Sequence, residues 1–293
     1  MRCQRLGGLE LCVKLEYSNP TGSHKDRIAV YMLWGAARDG LLEPGGCVGE
    51  ISSGNTAASL AWASRLLGVR AVLYVEGRVS PLKESLIRAL GGELVRIPRG
   101  PEGRRAAVED MESRGCLYIG QSGNEYNWLA HYETTGREIL EQTNWAVDAF
   151  VMGVGTGGTL TGVGARLREE VGSTLVAGVS PRGSRLLGGG GGDVIEGLAS
   201  HDEPRLYLKH SSVVERLIPV ASSEAFEGVK QLARATGILA GPSTGAALAG
   251  LSRLVEEGLL DRGSRAVIVA ADHATRYPDL LERLAAEEGG GRV

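Results

Sequence analysis

The sequence predicts an α/β fold whose parallel sheet is doubly wound, and three observations carry that expectation. Short β-like runs and apolar helical runs alternate at βαβ spacing, which favours parallel strands covered on both faces. Glycine is abundant, 44 of 293 residues, about twice its average share. Much of that glycine sits in loops after strands, where α/β proteins bind ligands. The length suits either two domains of ordinary size or one large α/β unit.

In chain order, Leu9 to Leu15 alternates like a strand, with Leu9, Leu11, Val13 and Leu15 on one face. The stretch Ser18-Asn19-Pro20-Thr21-Gly22-Ser23-His24-Lys25-Asp26-Arg27 follows, then an apolar helical run from Ile28 to Ala37. Asn19-Pro20 favours a turn, Gly22 permits an unusual backbone angle, and Ser23 or Asp26 suits the N–H groups at the helix start. Lys25 therefore stands at a strand-turn-helix junction. Of the 32 basic residues only five are lysines: Lys14, Lys25, Lys83, Lys209 and Lys230. Arginine cannot give up its proton whereas a desolvated lysine can, so Lys25 is a candidate reactive amine. The plainer alternative is a helix-start lysine in a surface ion pair.

The turn Glu43-Pro44-Gly45-Gly46 leads to a strand from Cys47 to Ile51, then to Ser52-Ser53-Gly54-Asn55-Thr56 and a helical run from Ala57 to Leu67. A polar, glycine-containing loop between strand and helix gathers N–H groups and hydroxyls that suit a carboxylate or phosphate. The plainer reading there is an N-cap at Ser53 or Asn55. Strands are expected at Arg70–Val75, Glu93–Ile97 and Cys116–Ile119, with helices at Pro81–Leu90 and Glu102–Arg114. The polar loop Gln121-Ser122-Gly123-Asn124 precedes His131-Tyr132-Glu133-Thr134-Thr135-Gly136-Arg137-Glu138.

The second half opens with a strand from Ala149 to Met152. Gly153-Val154-Gly155-Thr156-Gly157-Gly158-Thr159 follows, then a helix from about Leu160 to Glu170. This loop satisfies G-x-G-x-x-G, but a dinucleotide site also needs an acid at the end of the next strand. That strand, Leu175–Val179, ends in Ser180-Pro181-Arg182, so the loop reads as a phosphate cradle without the ribose contact. Gly241-Pro242-Ser243-Thr244-Gly245-Ala246 precedes a small-residue helix, Ala247–Val255. Arg265–Ala270 is a last buried strand before Asp272-His273-Ala274-Thr275-Arg276-Tyr277. His24, His131 and His273 read as packing or loop histidines. Gly188–Gly192 and Gly289–Gly291 read as flexible segments.

Net charge −3 and pI near 6.0 exclude the basic excess of a nucleic-acid binder, and no polybasic run addresses a membrane surface. No apolar stretch reaches a bilayer span, and the N-terminal residues lack a signal-peptide core, so a cytoplasmic location is expected. Cys3, Cys12, Cys47 and Cys116 are scattered without C-x-x-C spacing. The expectation is four free thiols and no metal site. The arginine bias is a weak pointer to a warm-growing source.

A reactive lysine, a distant phosphate loop and polar loops at strand ends together suit pyridoxal 5′-phosphate. That cofactor needs a lysine, a phosphate site and a partner for its pyridine nitrogen. The sequence resembles the β-family (fold type II) of pyridoxal-phosphate enzymes, within it the cysteine synthase and cystathionine β-synthase branch. The motif N-P-x-x-S-x-K-D-R is matched by Asn19 to Arg27, which implies that Lys25 is the Schiff-base lysine. The resemblance implies that Ser52, Ser53, Gly54, Asn55 and Thr56 grip the substrate carboxylate, with Asn55 also meeting the cofactor's 3′-oxygen. It likewise implies that Gly155, Thr156, Gly157, Gly158 and Thr159 hold the phosphate, that Gln121 contacts the carboxylate and that Ser243 serves the pyridine nitrogen. His131 to Gly136 and Thr159 to Gly164 are similar to segments specific to this branch. The match runs from about Leu9 to Tyr277.

The fold so implied is tryptophan synthase β-like, with two doubly wound α/β domains and the cofactor between them. Residues 18–130 would form a smaller mobile domain with the substrate-carboxylate loop, and 1–17 with 131–293 a larger one with the phosphate loop. The activity implied is β-replacement through an aminoacrylate, making L-cysteine from sulfide and O-acetylserine or O-phosphoserine, in a homodimer. Departures exist. Only 24 residues precede Lys25, fewer than the family usually has, which bears on dimer packing. His24 replaces a usually apolar residue, Thr21-Gly22 is shared with threonine synthases, and Ser52 stands where threonine is common. Glu196-Gly197-Leu198 stands where a glutamine-glycine segment is usual. Arg182 and Arg185 read as surface arginines, with a substrate phosphate as the alternative partner. The alternatives are serine or threonine deamination, cystathionine or threonine synthesis, or a catalytically silent regulatory homologue.

Overall fold

A computed structural model describes every residue except 53, 78, 79, 200, 202 and 290–293. β1 (Arg2–Leu6) turns into β2 (Leu9–Leu15) through Gly7 and Gly8, whose φ angles are 60° and 87°. Two consecutive positive φ values make the tight turn that suits an antiparallel hairpin, and the register pairs Leu6 with Leu9. The period-2 reading found β2 but not β1, whose mixed polarity hides it. α1 (Lys25–Arg38), β3 (Cys47–Ile51), α2 (Asn55–Leu66), β4 (Arg70–Glu76), α3 (Pro81–Ala89), β5 (Glu93–Ile97), α4 (Pro101–Ser113), β6 (Cys116–Tyr118) and α5 (Glu125–Ala130) follow. A π-helical turn, His131–Gly136, leads to α6 (Arg137–Thr143). Then come β7 (Ala149–Gly153), α7 (Gly158–Glu170), β8 (Leu175–Pro181), α8 (Arg205–His210), β9 (Arg216–Val220), α9 (Ser222–Thr236), α10 (Pro242–Glu256), β10 (Arg265–Ala270) and α11 (Pro278–Gly289).

The chain divides into two compact units, one of Asn19–Ala130 and one of Met1–Ser18 with the chain from His131 onward. The first holds a parallel sheet of order β5-β4-β3-β6. β4 sends Ala71 and Leu73 to the face covered by α1 and α2, where Ile28, Met32, Leu33 and Leu60 are buried. It sends Val72 and Tyr74 to the face covered by Ala107 and Met111 of α4. Burial on both faces is why this strand reads as a continuous apolar run. The second unit holds a sheet of order β1-β2-β10-β7-β8-β9, parallel except at β1. β7 alternates in the same way, with Val151 packed among α10 residues such as Leu251 and Phe150 packed with Leu160 and Val163 of α7.

Each sheet has a topological switch point. From β3 the chain winds outward to β4 and β5, while β6 lies on the other side of β3. From β7 it winds to β8 and β9, while β10 lies on the other side of β7. Loops after the two strands of such a pair diverge and leave a crevice at the strand ends, where α/β sheets bind ligands.

The expectation of free thiols is corrected. Cys3 pairs with Cys12 and Cys47 with Cys116 as disulfides. Strand register is the reason: Cys3 is the hairpin partner of Cys12, and Cys47 the parallel partner of Cys116. Neither register is visible in cysteine spacing. The Cys47–Cys116 link spans 69 residues, and closing so long a loop in the unfolded chain is worth roughly 4 kcal/mol in the chain-entropy model. Reduction is expected to lower the denaturant midpoint accordingly, an effect that Cys47→Ser reproduces. Four reactive thiols in the denatured, unreduced protein would sink both pairings.

Gly188–Gly192 is corrected too. The amides of Gly188, Gly189 and Gly191 bond to the carbonyls of Arg185, Ser184 and Gly183. A Cβ at Gly189 or Gly192 would overlap the backbone of Gly183 or Arg182. Gly189 and Gly192 are there for close backbone approach, whereas a Cβ at Gly188 or Gly190 would meet nothing within 4 Å. Of the C-terminal glycines, 290 and 291 lie outside the described residues.

Candidate active site

In the Asn19–Ala130 unit, the turn before α1 closes with the Gly22 amide donating to Asn19 O at 2.8 Å, and Gly22 has φ 81°. Asp26, buried in the first turn of α1, reaches back to Thr21: its carboxylate accepts the Thr21 amide at 2.7 Å and the Thr21 hydroxyl at 2.6 Å. Ser23 Oγ accepts the Lys25 amide at 3.2 Å. Lys25, the first residue of α1, is half-buried, and this clamp fixes the point from which its side chain leaves.

Ser52, Gly54, Asn55 and Thr56 connect β3 to α2, at the switch point with β6; Ser53 lies outside the described residues. Asn55 opens α2, whose start has no side-chain cap. The Gly54 amide approaches Ser52 Oγ at 3.5 Å. Gln121 follows β6 at the same switch point. Its Oε1 accepts the Thr56 hydroxyl at 2.8 Å, its carbonyl accepts from Asn127 Nδ2 at 2.9 Å, and its amide donates to Glu50 at 2.9 Å. The structure therefore brings Gln121 to the loop at Ser52–Thr56. Sequence reasoning missed two neighbours. Glu50 is buried in β3 beneath the loop. Lys83 of α3 lies against Gly54, where a Cβ would stand 3.8 Å from its Nζ. The scarcity of lysine was the one signal that pointed at Lys83.

In the other unit, Gly155–Thr159 connect β7 to α7 at the switch point with β10. Gly157 is the N-cap of α7 with φ 93° and brings no side chain to the helix start, whose first turn holds no acid; the Gly158 amide donates to Thr156 Oγ1 at 3.3 Å. A helix start without a carboxylate favours a phosphate. The loop is pinned where Tyr207 N donates to Thr156 O at 3.2 Å and Ala199 N to Val154 O at 2.9 Å. A Cβ at Gly155 would come within 2.7 Å of Gly197 O. One at Gly157 would overlap the Tyr207 backbone. His131, fully buried, bridges two threonines: its Nδ1 is 2.9 Å from Thr135 Oγ1 and its Nε2 3.0 Å from Thr159 Oγ1. His131 thus packs the phosphate loop onto the π-helical turn.

Ser243, in the first turn of α10, is buried, and its hydroxyl makes no hydrogen bond among the described residues. A Cβ at Gly197 would lie 3.7 Å from its Oγ, so Gly197, with φ 89°, joins Ser243 to the loop that holds Gly155. Arg182 is exposed and pairs with Glu224 at 3.1 Å, and Arg185 is exposed in a short 3-10 turn.

Comparison with known proteins agrees with this geometry. A family model described as pyridoxal-phosphate dependent enzyme matches residues 1–272. The chain belongs to that family. It is 36% identical to a cysteine synthase of Staphylococcus aureus over 275 residues, which cover 92% of this chain and 87% of the relative. The crystal structure of an O-ureido-L-serine synthase superposes with TM-score 0.88 at 34% identity, covering 96% of this chain and 91% of that one. A cysteine synthase from Entamoeba histolytica superposes with TM-score 0.84 at 30% identity, covering 94% and 83%. The fold is that of the type II pyridoxal-phosphate enzymes, and the chain is an enzyme that depends on this cofactor.

The residues present fit the group. The acid-free start of α7 suits a phosphate, and Gly155, Gly157 and Gly158 bring no side chains to it. The buried Ser243 hydroxyl offers a neutral partner to a ring nitrogen.

Proposed function

We propose that the enzyme makes L-cysteine by β-replacement, from sulfide and a serine activated as O-acetylserine or O-phosphoserine. The nearly full-length identity to a cysteine synthase carries this reading. Ser243 supports it: a hydroxyl rather than a carboxylate leaves the pyridine nitrogen uncharged, which suits replacement at the β-carbon. Bound pyridoxal phosphate supplies the electron sink for negative charge at the donor's α-carbon. Lys25 holds the cofactor covalently, and its freed amine takes the proton from the donor's Cα. Gly155, Thr156, Gly157, Gly158 and Thr159 take the phosphate, and Asn55 serves the 3′-oxygen. Ser52, Ser53, Gly54 and Thr56, with Gln121, take the donor's carboxylate. Acetate or phosphate leaves the β-carbon, and sulfide sulfur forms the new carbon–sulfur bond.

We place the enzyme in the cytoplasm as a homodimer. No helix among the described residues is long and apolar enough to cross a membrane. Paired cysteines inside cells are found in hyperthermophiles. A second reading changes only the nucleophile, because the O-ureido-L-serine synthase superposes over nearly the whole chain.

The test is the visible spectrum of the purified holoenzyme with O-acetylserine, O-phosphoserine and serine added in turn, then sulfide. One activated donor is expected to shift the band, and sulfide to restore it with release of cysteine. Pyruvate and ammonia formed without sulfide would replace the synthase with a deaminase. A protein with no band after incubation with pyridoxal phosphate would be a silent homologue.

A further inference from the structure

Glu50 is a carboxylate that the reaction above does not use, and its setting is unusual. It lies in β3, 1% exposed. Its Oε1 accepts the Ile51 amide at 2.9 Å and its Oε2 the Gln121 amide at 2.9 Å. Burial pushes its pKa up to about 7, against the pull of these amides. One of the two amides belongs to the chain just after β6, so the carboxylate ties the end of β3 to the end of β6 at the switch point.

The tie ends on one side chain. Gln121 is held at its amide by Glu50, at its carbonyl by Asn127 and at its Oε1 by Thr56. The Thr56 hydroxyl donates to Oε1 and so takes up the oxygen edge of the carboxamide. It leaves the Nε2 hydrogens as the outward edge, and Nε2 makes no hydrogen bond among the described residues. A substrate carboxylate needs donors of this kind.

We propose that Glu50 is a positioning residue for the donor amino acid, acting through Gln121: it anchors the backbone so that the carboxamide NH₂ meets the substrate carboxylate. This rests on the reading of the enzyme as an amino-acid β-replacement catalyst. The substitution Glu50→Gln would turn an NH₂ toward one of its two N–H donors and release it, freeing the loop without touching Gly155–Thr159.

The experiment is a double-mutant cycle on the holoenzyme, read by the spectral titration of the donor that works in the wild type. Glu50→Gln is expected to keep the visible band and the affinity for pyridoxal phosphate while weakening donor binding about tenfold, the loss of one hydrogen bond to a charged group. KM for sulfide stays unchanged. Gln121→Ala gives a similar loss, and Glu50→Gln with Gln121→Ala together lose no more than Gln121→Ala alone. Glu50→Asp, which keeps the charge on a shorter side chain, gives a smaller loss and serves where Glu50→Gln fails to fold. Wild-type donor affinity in Glu50→Gln or Glu50→Asp overturns the proposal, as do additive losses in the double variant. If no donor perturbs the wild-type band, the functional reading fails instead, before the variants are compared.

Discussion

Lys25→Ala is expected to remove the visible band of the holoenzyme and to lower turnover by roughly 10⁴-fold or more, since one amine is both covalent anchor and general base. The position explains the size of the effect. The turn at Asn19–Gly22 and the bonds from Asp26 to Thr21 hold the start of α1, so no neighbouring side chain can substitute from the same point. The fold is expected to survive: Ile28, Met32 and Leu33, the buried face of α1, are untouched. Reductive trapping followed by peptide mass mapping should find the cofactor on the peptide that contains Lys25. A band or full turnover in Lys25→Ala would move the reactive amine to another of the five lysines.

Gly157→Ala is expected to weaken binding of pyridoxal phosphate at least tenfold and to destabilise the apo-protein by about 3 kcal/mol. Two costs combine. An alanine at φ 93° costs roughly 1–2 kcal/mol in backbone strain, and its Cβ overlaps the Tyr207 backbone, which forces the loop away from α8. Gly172→Ala separates the two costs. Gly172 has φ 79° and nothing within 4 Å of a built Cβ, so that variant is expected to lose only the strain and to bind cofactor normally. Thermal unfolding of both apo-variants and a cofactor titration decide the matter. Wild-type cofactor affinity in Gly157→Ala would remove the start of α7 from the phosphate site.

Local chemistry decided how much of this was legible. β4, β7 and β10 were read from sequence because a strand buried on both faces is an unbroken apolar run between turn residues. Gly22, the loop at Ser52–Thr56 and the loop at Gly153–Thr159 were legible because turns and helix starts are written within a few residues. Lys25 stood out because the chain writes nearly all its positive charge as arginine.

Tertiary structure alone decided whatever depends on register or on partners distant in sequence. The pairing of Cys3 with Cys12 and of Cys47 with Cys116 follows from which strand residues lie opposite, a property that spacing does not encode. Glu50 reads as one polar residue in a short strand; only the return of the chain through β6 brings the Gln121 amide, 71 residues on, to its carboxylate. The glycines from Gly188 to Gly192 read as slack because composition cannot distinguish a glycine that moves from one pressed against another backbone. The sequence by itself determined an α/β chain and marked Lys25 as a candidate reactive amine and Gly153–Thr159 as a candidate phosphate loop. The fold decided which polar groups meet, because a buried carboxylate or thiol acquires its partner from strand order.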